Sequence, residues 1–216
     1  MAALYLTEAD VERLLTLPLA IEVVAESFRR LATGEAENVP RARSRTKNVV
    51  LHSMSAAAGY LDMVGWKCYT TTKTGARFLL GLADDTGALV ALIEADRLGQ
   101  LRTGATSGVA IEWMAPPDAS EVGIFGAGWQ AQSQLTAVAA VRPIRVAYVY
   151  SPNESRRQRF AEQMSTQLGL DVRPVDRPQE AARDLPIVMT ATTSATPVFD
   201  GMDLAESALV CAMGSN

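Results

Sequence analysis

Six residues in the second half of the chain, Gly126-Ala127-Gly128-Trp129-Gln130-Ala131, leave few folds open. They fit the pattern G-x-G-x-x-A, they directly follow the apolar run Glu121 to Phe125, and they open an amphipathic run to Ala140. A strand, a glycine turn and a helix in that order form the start of a dinucleotide-binding unit. Gly126 allows the tight turn and Gly128 lets the backbone approach a pyrophosphate. The small Ala131 permits close packing of helix on strand, and the first helical residues, Trp129 and Gln130, put the positive end of the helix toward the anion. A glycine turn in a nucleotide-free α/β domain is the minority reading. The indoles of Trp66 and Trp129 read as core aromatics.

The usual companion of this motif is an acid about 20 residues further on, at the end of the second strand, where it binds the ribose 2′-hydroxyl. Here that strand ends Tyr150-Ser151-Pro152-Asn153, the first acid is Glu154, and Arg156 and Arg157 follow. A carboxylate repels a 2′-phosphate, whereas the Ser151 hydroxyl beside guanidinium groups accepts one. The cofactor expected is therefore NADP(H) ahead of NAD(H), with Ser151 and Arg156 as its ribose-phosphate contacts. For Arg157 a solvated helix face is an equal reading.

The elements around the motif alternate: strand 121–125, helix 128–140, strand 145–150, helix 153–168, strand 171–173, short helix 178–183, and strands 186–190 and 208–213. That alternation implies a parallel sheet with helices on its faces. The first half has another texture. Helices over 7–17 and 18–32, the first with a Thr7/Asp10 capping signature, precede short β-branched runs at 48–54, 65–72, 76–84 and 88–95, which read as antiparallel strands. A helix from Thr103 to Met114 leads to Ala115-Pro116-Pro117-Asp118, a natural linker. The expected fold class is α/β: a substrate-binding and dimerisation domain with an antiparallel sheet over 1–115, then a Rossmann-like dinucleotide domain over 116–216. The second sheet stops where such sheets usually continue, so the chain reads as a fragment or a shortened relative.

Composition narrows the partners. A formal net charge of −4 over 216 residues argues against a dedicated nucleic-acid binder. Between Asn38 and Arg77, however, seven basic residues (Arg41, Arg43, Arg45, Lys47, Lys67, Lys73, Arg77) accompany one acid, Asp62, so an anionic ligand is expected there. For Arg45 and Lys47 an exposed edge strand is the preferred reading. Cys68 and Cys211 are the only cysteines and have no metal-ligand spacing, the single His52 reads as structural, and no metal site is expected. The opening residues show no secretory signal. The uncharged stretch Val122 to Val141 contains two glycines at turn spacing and five polar residues, so it is not read as a membrane span. The expected setting is the reducing cytoplasm.

Five segments together resemble the ornithine cyclodeaminase and mu-crystallin family: Pro40-Arg41-Ala42-Arg43, Gly65-Trp66-Lys67, Leu101-Arg102-Thr103-Gly104-Ala105-Thr106-Ser107, the glycine turn, and Thr190 to Ser194 followed by Pro197-Val198-Phe199. The resemblance covers essentially the whole chain. It implies a homodimer, formed through the sheet domain, that binds a small amino or imino acid between the two domains. It further implies that Arg41 (with Arg43 as the register alternative), Lys67 and Arg102 hold the substrate. The resemblance also assigns the start of a helix at Thr103 to Ser107 to the cofactor phosphates, and Thr192 and Thr193 to the cofactor crevice. Cyclodeaminases of this family carry a catalytic aspartate after a glycine late in the dinucleotide domain. The matching segment here is Met213-Gly214-Ser215-Asn216, in which Asn216 offers no carboxylate base. The reading that follows is an NADP(H)-dependent reductase of a small imino acid, with an ornithine cyclodeaminase-like lyase and a non-catalytic binding protein of mu-crystallin type as alternatives.

Overall fold

The computed structural model describes residues 2–214. In chain order the elements are β1 (Leu4–Leu6), α1 (Glu8–Leu14), α2 (Leu17–Ala32), β2 (Ala36–Arg45), β3 (Val50–Ala58), β4 (Met63–Thr72), β5 (Gly75–Asp84), β6 (Leu89–Glu94), α3 (Asp96–Met114), β7 (Glu121–Phe125), α4 (Trp129–Val141), β8 (Val146–Tyr150), α5 (Glu154–Leu168), β9 (Asp171–Pro174), β10 (Ile187–Thr190) and β11 (Leu209–Ala212). Among the described residues no helix is long and apolar enough to cross a membrane.

The chain divides into two compact units, residues 1–101 and 102–216. The division falls inside α3, whereas the proline-rich linker had pointed to residue 115. Ala115-Pro116-Pro117 forms only a short turn, in which the Ala119 amide bonds the Pro116 carbonyl at 3.1 Å. The helix before it is continuous from Asp96 to Met114.

The first unit holds a six-stranded sheet in the order β1-β6-β5-β4-β3-β2. Four of its five pairings are antiparallel, as expected, but β1 runs parallel to β6, with Tyr5 opposite Leu92. Three residues are too few to show an alternating pattern, which is why β1 left no sequence signal. β2 was likewise not anticipated as a ten-residue strand, because Pro40 interrupts it. It lies at the sheet edge with an irregularity between Val39 and Ala42, where a missing proline N–H costs no ladder bond. Thr7 caps α1 in a reciprocal box with Asp10, and the Thr16 hydroxyl caps α2.

α3 starts seven residues earlier than its sequence suggested. The Glu8 carboxylate accepts the amides of Asp96 at 2.6 Å and Arg97 at 2.9 Å, satisfying donors that a helix start leaves open. A cap supplied from the far end of the unit is invisible to local pattern reading. Glu8 is itself placed by its amide, which donates to Glu94 at 2.8 Å.

The second unit is a five-stranded parallel sheet in the order β11-β10-β7-β8-β9. One face packs on Ile111 of α3 and Ala115 just after it, Leu135 and Val138 of α4, and Phe160 and Met164 of α5. The other packs on Ala181, Ala182 and Leu185 with Phe199 and Leu204. Strand order therefore reverses between β7 and β10, the topological switch point at which open α/β sheets bind ligands. Arg142 ties α3 to this sheet. Its guanidinium donates to the carbonyls of Ile111, Glu112, Ala115, Pro116 and Val141 at 2.8–2.9 Å, closing the C-terminal end of α3. Arg142→Ala leaves these carbonyls short of donors and should lower stability by about 2 kcal/mol or more. Denaturant unfolding checks this, and an unchanged midpoint would refute it.

Candidate functional site

The ends of β7, β8 and β10 converge on the glycine turn. The Gly126 amide bonds the Tyr150 carbonyl at 2.9 Å, and the Ala191 amide bonds the Phe125 carbonyl at 2.8 Å. Gly126 adopts φ +108°. A Cβ there would lie 2.3 Å from the Ala191 carbonyl oxygen, so glycine is required on two counts. Gly128 serves a different need. It is the N-cap of α4, carries no side-chain cap, and an added Cβ would meet nothing within 4 Å. Open space thus lies beside Gly128 at the N-terminus of α4, the room a pyrophosphate requires there. The fit to a dinucleotide extends to Ala131, fully buried where α4 meets the sheet.

Thr192 borders the turn, with its methyl 3.4 Å from the position a Gly126 Cβ would take, and its hydroxyl accepts the Ser194 amide at 3.2 Å. Thr193 beside it is exposed. Ser151 follows β8 directly and is buried at 9% exposure. Asn153 caps α5 by accepting the Arg156 amide at 2.9 Å, and the Arg156 side chain is exposed next to it. Arg157 is not the solvated residue that one reading allowed. It is 8% exposed, donates to the Ser151 carbonyl at 3.2 Å and pairs with Asp176, so it fastens the loop after β8 to the end of β9.

Thr103 and Ser107 stand differently from expectation. They lie in the third and fourth turns of α3, whose amides are committed to intrahelical bonds, so no helix N-terminus opens there. The Thr103 carbonyl accepts Gln134 of α4 at 3.3 Å. Arg102 is exposed on the same helix. Trp129 is 47% exposed and Trp66 38%, so neither is a core aromatic. Trp66 instead covers Gly81, where an added Cβ would sit 2.4 Å from its ring.

In the first unit, Arg41 and Lys67 converge on Tyr69. The guanidinium lies 5.9 Å and the ammonium 5.6 Å from the ring centroid. Tyr69 stacks on His52, with centroids 4.2 Å apart and planes 3° from parallel, and on Phe78 at 4.6 Å. Sequence reasoning missed Tyr69, although its place two residues after Lys67 on a strand puts both on one face. His52 bonds Thr71 through Nε2 at 3.0 Å. Burial first, and then Arg41, Arg43 and Arg45, push its pKa below the ordinary histidine value, so the ring is neutral at pH 7. Asn216 lies outside the described residues.

All 216 residues match the sequence profile of the Ornithine cyclodeaminase/mu-crystallin family. The chain belongs to that family. Delta(1)-pyrroline-2-carboxylate reductase of Bacillus cereus is 33% identical over 177 residues, covering 78% of this chain and 54% of its own. The structure of Thermococcus litoralis Delta(1)-pyrroline-2-carboxylate reductase with NADH and L-proline superposes with a TM-score of 0.92 at 32% identity, over 98% of this chain and 68% of that one. A probable ornithine cyclodeaminase from Bordetella pertussis gives a TM-score of 0.94 at 31% identity, over 99% and 68%. The chain thus spans about two thirds of the length of these solved relatives.

Proposed function

We propose that this protein is a reductase of a small imino acid that uses a nicotinamide dinucleotide, with NADP(H) preferred. The observation that carries the reading is the glycine turn at Gly126 to Ala131, with open space beside Gly128 at the start of α4, set at the switch point of a parallel sheet in a chain similar to an imino acid reductase solved with NADH. Gly126, Gly128, Trp129, Gln130 and Ala131 hold the pyrophosphate, with Thr192 and Thr193 along the crevice. The side chains of Thr103 and Ser107 complete it, and residues 116–216 act as the cofactor domain. The bound dinucleotide supplies the hydride that reduces the imine carbon. Arg41 and Arg102 fix the substrate carboxylate through paired guanidinium hydrogen bonds, and Lys67 holds the same carboxylate or passes a proton to the imine nitrogen. The active form is a homodimer built through the sheet of residues 1–115, and the free thiols of Cys68 and Cys211 suit the reducing cytoplasm.

The direct test measures NAD(P)H oxidation with pyrroline-2-carboxylate and ammonia release from ornithine on one preparation. Imine reduction without ammonia release is expected. Ammonia release without imine reduction would establish the lyase instead, and silence in both with tight NADPH binding would establish a binding protein.

The NADP(H) preference rests on Ser151, where an NAD enzyme places an acid. Ser151→Asp should reverse the preference, since a carboxylate bonds the free 2′-hydroxyl and repels the 2′-phosphate. Fluorescence titration with NADPH and NADH reads this; a wild type that binds NADH as tightly as NADPH would sink it.

A further inference from the structure

Tyr69 stands at the centre of a cross-strand row of three rings. β4 runs between β3 and β5, and the register sets Tyr69 opposite His52 on one strand and Phe78 on the other. Partners of this kind share a face, and the rings stack, with centroids 4.2 Å and 4.6 Å apart. Both ends of the row are fastened. His52 is bonded through Nε2 to Thr71 at 3.0 Å, and the Phe78 amide donates to Asp96 at 3.1 Å. A tyrosine stacked in this way gives up its side-chain freedom on folding, and none of that cost is left for the moment a ligand arrives.

Arg41 and Lys67 have long, rotamer-rich arms, and ordering each of them around a ligand costs binding energy. Their like charges also repel, which drives flexible arms apart. The Tyr69 ring opposes both tendencies. An aromatic ring attracts a cation held within about 6 Å of its centroid, and the guanidinium at 5.9 Å and the ammonium at 5.6 Å both fall inside that limit. The two cations come from different strands, β2 and β4, so one ring fixes the spacing between them.

We propose that Tyr69 is the positioning residue of the substrate clasp: it holds Arg41 and Lys67 in the arrangement that receives a carboxylate before the carboxylate arrives. The proposal rests on the reductase reading, which assigns those two cations to the substrate, and adds the residue through which they are pre-set. Tyr69 acts through the cations and takes no part in hydride or proton transfer. Its loss therefore weakens substrate capture and leaves the chemical step in place. Both contacts are made to the ring, so phenylalanine at this position preserves them.

The lysines of the chain are Lys47, Lys67 and Lys73, few enough to be observed one by one. Reductive methylation with carbon-13 formaldehyde keeps their charge and gives each an NMR signal, and Lys67→Arg assigns the one of interest. In the unliganded 216-residue chain the ring current of Tyr69 should displace the Lys67 signal from the position of the exposed Lys47 and Lys73. A Lys67 signal at that position overturns the proposal, and this measurement needs no variant. Tyr69→Leu should return the signal to the exposed position, whereas Tyr69→Phe should keep it displaced; a signal still displaced in Tyr69→Leu overturns the proposal as well. Steady-state kinetics with pyrroline-2-carboxylate give the second readout. Tyr69→Leu should raise KM about tenfold, with kcat and NADPH affinity within about twofold of wild type, and Tyr69→Phe should restore KM. A lower kcat at unchanged KM overturns the positioning role, as does a KM that Tyr69→Phe fails to restore. A wild type that reduces no imine removes the reductase reading, and the Lys67 signal then still decides whether Tyr69 sets the cation pair.

Discussion

Gly126→Ala is expected to abolish dinucleotide binding and to destabilise the second unit by about 3 kcal/mol or more, the sum of a left-handed backbone penalty and a forced clash. The clash is with the Ala191 carbonyl oxygen, 2.3 Å from the new methyl. That carbonyl belongs to the residue whose amide continues the β7–β10 pairing, so the strain cannot be relieved by a side-chain movement. Gly128→Ala provides the contrast. At φ −107° and with nothing within 4 Å, its methyl costs the fold little, yet it occupies the space a pyrophosphate needs. Thermal unfolding and NADPH titration of both variants separate the two effects. A Gly126→Ala protein with wild-type melting and wild-type affinity would show that the turn does not do what its geometry requires.

The second large effect concerns turnover. Lys67→Ala and Arg102→Ala should each lower kcat/KM for an imino acid by about 100-fold, since a hydrogen bond to a charged group is worth roughly 1.5–3 kcal/mol and more when the partner charge is left unpaired. Melting temperature and NADPH affinity should stay close to wild type, because Lys67 is only half-buried and Arg102 is exposed. Steady-state kinetics on the two variants decides the matter. If neither KM nor kcat moves, these cations do not touch the substrate.

The dinucleotide half was legible almost residue by residue. Glu121 to Phe125, the turn and α4 were readable because each carries its own local signal: an apolar run, two glycines, a helical period. The first half was less so. β1 is too short to show a period, β2 hides behind Pro40, and α3 starts where a distant carboxylate meets its amides, so the Thr103 to Ser107 segment looked like a helix start when it is a helix interior. The candidate site divides in the same way. Gly126, Gly128 and Ser151 announce themselves by position after a strand. Tyr69, which gathers Arg41 and Lys67, does so only once three strands are in register. Arg157 could be read two ways from its helix, and only the approach of Asp176 decides between them.

The bond from Glu8 to Asp96 spans 88 positions. During synthesis this carboxylate has no helix to meet until α3 has begun to leave the ribosome, and closing a loop of that length costs roughly 4 kcal/mol in chain entropy by the logarithmic rule. The parallel pairing of β1 with β6 waits for the same event. The hairpins from β2 to β6 can form as they emerge, each from neighbours in sequence, while the first ten residues must remain undocked throughout. The N-terminal segment is therefore held to its unit by long-range closure, whereas the hairpins rest on neighbours in sequence.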